Sequence, residues 1–251
     1  AVAKEREPDL LITVDNGISS VDGVRAAREA GIDVIITDHH LSPDALPEDC
    51  IIVNPNQPGD TFASKSIAGV GVIFYVMLAL RAALKSVGWF EDQNIPVPNM
   101  AQYLDLVALG TVADVVPLDK NNRIMVHHGL ARIRSGRGNV GILAMIDIAK
   151  RKYERMRASD LGYVIGPRLN AAGRLDDMSW GVNCLLADDF RAALQIARRL
   201  DNLNVERREI ETEMQVEAFT ALDSVDLEKE MPFGVCVYQE DWHQGVIGLL
   251  A

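Results

Sequence analysis

Positive charge is scarce in this chain: Lys and Arg total 25 against 36 Asp and Glu, a net charge of −11 over 251 residues. Such a chain is no general polycation that coats nucleic acid, so any nucleic-acid contact must use a local basic patch. Cysteine is scarcer still. Cys50, Cys184 and Cys236 are odd in number and far apart, which excludes a disulfide framework or a zinc ribbon and fits a reducing cytoplasm. Long apolar runs reduce to one, from Ile67 to Leu84. Gly69, Gly71, Tyr75 and Arg81 interrupt it, which predicts a buried helix rather than a membrane span. The first ten residues hold no apolar signal-peptide core. Repeats and low-complexity segments are lacking too. What remains is 48% hydrophobic and 24% charged, the composition of a globular chain able to bury a real core.

The N-terminal third reads as α/β. Leu10–Val14, Val34–Thr37 and Ile51–Val53 are short, β-branched apolar runs with short connections, and Val21–Ala30 between the first two has helical spacing. Strand, helix, strand in this order predicts a parallel sheet buried on both faces. Ligands of such sheets sit beyond the carboxyl ends of the strands, where Asp15 and the triplet Asp38-His39-His40 fall. From Ile67 to Leu175 the patterns are mostly helical. From Asp188 to Leu222 there is neither Gly nor Pro, and Phe190, Leu194, Ala197, Leu200, Leu203, Ile210 and Met214 mark a stripe on one long connecting helix. Residues 233–238 then predict a strand, followed by a turn into a helix that would open a second α/β domain. The expected organisation is 1–187 for the first domain, 188–224 for the connecting helix and 225–251 for the start of the second. Ala1 is not Met and the last residues, Gly-Leu-Leu-Ala, lie within an apolar run, so both ends are expected to be cuts inside a longer protein.

Two adjacent histidines after an aspartate at a strand end suit a divalent ion, which accepts imidazole nitrogen and carboxylate oxygen together. Asp15, at the end of the neighbouring strand, would add an oxygen. From spacing alone a second reading stays open, in which Asp38 caps a turn and the histidines are solvated.

Longer strings carry a resemblance. VDNGISS (Val14–Ser20), TDHH (Thr37–His40) and ALGTVADVVPL (Ala108–Leu118) resemble successive motifs of the DHH phosphoesterase superfamily. ASKSIAGVGV (Ala63–Val72), GPRLNAAGRLDDM (Gly166–Met178) and WHQGVIG (Trp242–Gly248) resemble its exonuclease branch, in the right order along nearly the whole chain. The resemblance implies metal ligands at Asp15, His39 and Asp114, a supporting role for Asp38, and His40 facing the phosphate. It implies a two-metal site for Mn²⁺ or Mg²⁺ and hydrolysis of phosphodiester bonds, taking nucleotides from the 5′ end of single-stranded DNA in repair and recombination. Single-strand-binding protein and a helicase are the implied partners of a protein that is monomeric and needs no membrane. The family's first motif, Asp-x-Asp-Gly, has no match in residues 1–13 and is expected upstream, so the ligand set here is partial. This incomplete set and the unfinished second domain predict little or no activity from the chain by itself.

The local basic patch is expected at Arg151–Arg174, where six basic residues face two acidic ones, with a smaller one at Arg132, Arg134 and Arg137. Arg168 and Arg174 are the expected phosphate contacts, joined by Lys65 and by His243 at a helix start. Arg151–Arg157 reads as a solvated helix face. Gly69 and Gly71 are expected to let a helix pack closely, with Ser66 as its N-cap. Tyr163 and Trp180 offer rings to a base, although core packing explains either one alone. Two rival functions share these residues: a small-nucleotide phosphodiesterase or phosphatase, which would not need the helical segment Ala63–Asp177, and a non-catalytic nucleic-acid-binding module, which would lose ligands that are all present here.

Overall fold

The computed structural model describes residues 2–223, 234 and 236–249. Among them eleven α-helices and three strands follow in the order α1 (Val2–Arg6), β1 (Leu10–Val14), α2 (Val21–Glu29), β2 (Asp33–Thr37), β3 (Ile51–Val53), α3 (Gly69–Ser86), α4 (Trp89–Asp92), α5 (Leu104–Ala113), α6 (Lys120–Arg134), α7 (Val140–Ile148), α8 (Ala158–Asp160), α9 (Gly166–Leu175), α10 (Ser179–Leu186) and α11 (Phe190–Asp223). They form two packed units. The first holds residues 1–139 and 153–162, the second residues 140–152 and 163–251. By packing, the chain divides after Asn139, within the expected first domain.

In the first unit the strands make a parallel sheet in the order β1-β2-β3. The register pairs Val14 with Thr37 and Thr37 with Val53, so all three strands end level. Side chains alternate across a strand. Val34 and Ile36 bury against Val24 of α2, with Leu11, Ala27, Cys50 and Ile52 around them. Each such aliphatic contributes about 1.5–3 kcal/mol. The opposite face differs from the expectation of double burial. Leu10, Ile12, Val14 and Ile51 are exposed there, and among the described residues only the face toward α2 forms a core.

A second core gathers Ile67, Val72, Phe74, Met100, Val107 and Met125. The apolar run expected to form a buried helix is α3, long and apolar enough by length and composition to cross a membrane. Only Gly69, Gly71, Val72 and Phe74, in its first two turns, are buried, while Met77 and Leu80 are exposed. Its N-cap is Ala68 rather than Ser66. The Ser66 carbonyl instead accepts from the Asn122 side chain, which ties this loop to α6. Helices α5 and α6 cross so closely that a β-carbon at Gly129 would stand 2.2 Å from the Leu104 carbonyl oxygen.

The second unit packs α7, α9 and α10 on α11. The buried stripe of α11 runs Ala193, Ala197, Leu200, Asn204, Met214, whereas Phe190 is exposed. Small residues in the first turns admit close helix contact. Between Leu200 and Met214 the stripe turns polar, with Asn204 buried and Arg207 paired to Glu211. In the expected strand 233–238, Phe233 and Val235 lie outside the described residues, and Cys236–Tyr238 belong to no strand. A 3₁₀ turn, Ile247–Leu249, follows the Trp242–Val246 turn.

Candidate metal centre

Asp15 and Asp38 each stand one residue past the carboxyl end of a strand, β1 and β2, which are hydrogen-bonded neighbours. The Asp15 amide donates to the Thr37 carbonyl at 2.9 Å, and the Asp38 amide to the Val53 carbonyl at 3.1 Å. The backbone at Asp15 turns left-handed, with φ of 68°. Aspartate tolerates this region better than most residues, and the turn ends the strand and directs its carboxylate toward β2.

Asp38 is fully buried and saturated with donors. Its Oδ2 accepts from the Ile18 amide at 2.9 Å. Its Oδ1 accepts from the His39 amide at 2.7 Å, the His40 amide at 3.2 Å and the His40 ring at 2.7 Å. Burial pushes this carboxyl up, but the Ile18 amide, the His40 ring and the two histidine amides outweigh it and hold it below the usual carboxylate range. Asp38 therefore stays ionised and fixes both histidines. The same bond raises the His40 imidazole above its ordinary value, against a smaller opposing effect of burial. With Nδ1 on Asp38, the Nε2 edge of the half-exposed His40 ring is left for another group.

His39 points the other way. Its Nε2 lies 3.0 Å from Asp15 Oδ1 and 3.3 Å from Asp114 Oδ2. That nitrogen is buried and makes no hydrogen bond. Asp114 comes from the C-terminal cap of α5, its amide bonded to the Gly110 carbonyl. A carboxylate at a helix C-terminus faces the negative end of the dipole. Burial raises the Asp15 carboxyl first, and the charges of Asp114 and Asp38 raise it further, while His39 and His40 pull it down. An orphaned imidazole nitrogen between two mutually repelling carboxylates fits a divalent cation, which offsets all three costs. Two oxygens and one nitrogen suit Mn²⁺ or Mg²⁺. Ligand atoms of Asp15, His39 and His40 also lie within 4.8 Å of one another.

Three supports escaped the sequence reading. Asn54 is buried and donates through Nδ2 to the His40 carbonyl at 2.9 Å. Asn56 donates to the His39 carbonyl at 2.6 Å. The polar Asn-Pro-Asn after β3 was the available signal. The third is Gly69, expected only to ease helix packing. A β-carbon there would lie 2.1 Å from Asp15 Oδ1 and 2.8 Å from Asp15 Cβ, so this glycine makes room for the carboxylate.

The four residues expected to contact nucleic acid each have partners within their own unit. Lys65 bonds the Pro55 carbonyl and both the carbonyl and carboxylate of Asp60 within its own loop. Arg168 pairs with Asp201 at 2.8 Å, bonds the Val164 carbonyl and is mostly buried, so it fastens α9 to α11. Arg174 donates to the Gly245 carbonyl at 2.8 Å, and the Gly245 amide donates to His243 Nδ1 at 3.1 Å. These two basic side chains thus share one turn. Of the other basic residues, Arg132 faces the buried Asp105 and Arg134 bonds the Met156 carbonyl, while Arg151–Arg157 carry exposed charges. Trp180 is covered by the Arg199 guanidinium at 4.0 Å, and Tyr163 is exposed.

Residues 1–111 match the DHH family, N-terminal domain. The chain is 54% identical over 250 residues to the single-stranded-DNA-specific exonuclease RecJ of Escherichia coli, covering 99% of this chain and 43% of that protein. It is 36% identical to the RecJ of Bacillus subtilis, covering 99% of this chain and 29% of that protein. Its fold is similar to a crystal structure of exonuclease RecJ bound to manganese, with a TM-score of 0.80 and 31% identity over 100% of this chain and 60% of that one. It is also similar to RecJ from Thermus thermophilus in complex with Mg²⁺, with a TM-score of 0.70 and 30% identity over 97% of this chain and 32% of that one. The chain thus spans less than half the length of these curated relatives. Residues 1–111, with the strand-end aspartates and the Asp-His-His triplet in place, thus match the N-terminal domain of the DHH family.

Proposed function

We propose that this chain is the greater part of the catalytic region of a metal-dependent exonuclease that hydrolyses phosphodiester bonds of single-stranded DNA from the 5′ end. The observation that carries this reading is the His39 Nε2 held without a hydrogen bond between Asp15 and Asp114. Asp15, His39 and Asp114 would hold Mn²⁺ or Mg²⁺. The ion supplies Lewis-acid activation of water and of the phosphoryl oxygen. Asp38 holds the His40 ring and the His39 main chain in place, and His40 would donate a hydrogen bond from its free Nε2 edge to a phosphate oxygen. Arg174 and His243, joined through Gly245, are our candidates for the DNA backbone.

The test uses the full-length protein and His39→Ala. The parent should bind Mn²⁺ by calorimetry and shorten 5′-labelled single strands from that end. The variant should lose the ion and at least a hundredfold in rate. Hydrolysis confined to dinucleotides would favour a small-nucleotide phosphodiesterase. Strand binding without hydrolysis would favour a binding module.

A further inference from the structure

Two chain neighbours of cluster residues are in unfavourable states. Val115 follows Asp114 and is left-handed, with φ of 60°. It terminates α5, donating its amide to the Val112 carbonyl at 3.2 Å. Glycine fills such a position without cost, whereas a β-branched residue there is strained by about 1–3 kcal/mol. Val115 is nevertheless 85% exposed, so no packing in this unit offsets the strain. Leu41, directly after His40, is 83% exposed. Each aliphatic side chain is the immediate chain neighbour of a cluster residue, and each faces water.

We propose that Leu41 and Val115 are substrate-positioning residues that hold the apolar surface of the nucleotide whose phosphate lies at the cluster. This rests on the proposed nuclease reading. A phosphodiester carries a sugar on each side, one ester bond away. When its phosphorus meets Asp15, His39 and Asp114, deoxyribose carbons and a base must meet whatever borders those ligands. The residues that follow His40 and Asp114 in the chain are aliphatic and exposed. Contact there removes apolar surface from water without reading sequence, which suits an enzyme that must accept every nucleotide.

The test is Val115→Gly and Leu41→Ala in the full-length protein, each measured for Mn²⁺ affinity, thermal midpoint, KM and kcat on single strands. Val115→Gly relieves the backbone strain, so its midpoint should hold or rise. Its KM should rise roughly threefold to tenfold, as expected for losing part of one aliphatic contact, with Mn²⁺ affinity retained. Leu41→Ala should raise KM similarly. An unchanged KM in both variants would overturn the proposal, and so would a loss of Mn²⁺ affinity together with kcat, which would mark the residues as props of the cluster. A parent protein that binds Mn²⁺ yet degrades no single strand would overturn the nuclease reading itself, an outcome separable from either variant result.

Discussion

Gly69 and Asp15 are in direct contact, the first residue of α3 against the carboxylate that ends β1. Gly69→Ala should therefore displace Asp15. Alanine at a helix position is otherwise stabilising by about 0.5–1 kcal/mol, so a structural effect and a site effect have opposite signs. The expected outcome is a Mn²⁺ affinity lower by roughly tenfold to a hundredfold, as for other supporting residues of metal sites, with little fall in thermal midpoint. Calorimetric titration beside a melting curve checks both.

Asp38→Asn should be severe although it alters no metal ligand. Four donors converge on the Asp38 carboxylate. An amide would set its own N–H groups against one or more of them, leaving buried donors unmatched at about 1–3 kcal/mol each. Stability should fall by that order, and nuclease activity should fall further than the Mn²⁺ affinity, because His40 loses the partner that orients it.

Asp119 should contribute an acid-sensitive part of the stability. It is the N-cap of α6, accepting from the Asn122 amide at 2.9 Å and from the Ser64 hydroxyl at 2.6 Å. Burial pushes its carboxyl up, but the Ser64 hydroxyl and the Asn122 and Asn121 amides outweigh that and hold it below the usual range. A carboxyl lowered by folding stabilises the protein above its unfolded pKa of about 3.9, and the stabilisation is lost as pH falls from there through the folded value. Asp119→Ala should cost about 1–2 kcal/mol at neutral pH, and the gap between variant and parent should close below about pH 4. Unfolding curves at pH 7 and pH 3 measure the difference.

The two arginines of the NAAGR segment should separate. Arg174→Ala should reduce the salt dependence of single-strand binding by about 0.7 of a unit, the value for one lost phosphate contact. Arg168→Ala should chiefly destabilise, because Asp201 would lose its partner in a part-buried pair. A melting curve and a salt titration on each variant decide the matter.

The strand-end cluster was legible because it obeys a rule about chain ends: parallel strands present their carboxyl-end loops on one side, which places Asp15 beside Asp38. Asp114 was legible only through the resemblance, since nothing in its spacing says that α5 ends against His39. Gly69, Asn54 and Asn56 were not legible as supports. They act through contacts with Asp15 and with the main chain of His39 and His40, and neither periodicity nor composition encodes those. The partner of Arg168 was equally illegible. Its positive context suggested phosphate, but helix packing sets it on Asp201, 33 residues further on. The exposed sheet face was not legible, because β-branched runs look alike whether one face or both are covered.

The three proposed ligands Asp15, His39 and Asp114 lie 24 and then 75 residues apart in the chain. An ion seated among them would join β1, β2 and α5 at one point, a cross-link in a chain whose three cysteines are all unpaired. Because only the folded chain gathers these ligands, binding would add to folding stability by about 2.7 kcal/mol at a hundred times the dissociation constant. Resistance to heat would then report metal occupancy, and a chelator would lower the melting temperature with no DNA in the tube.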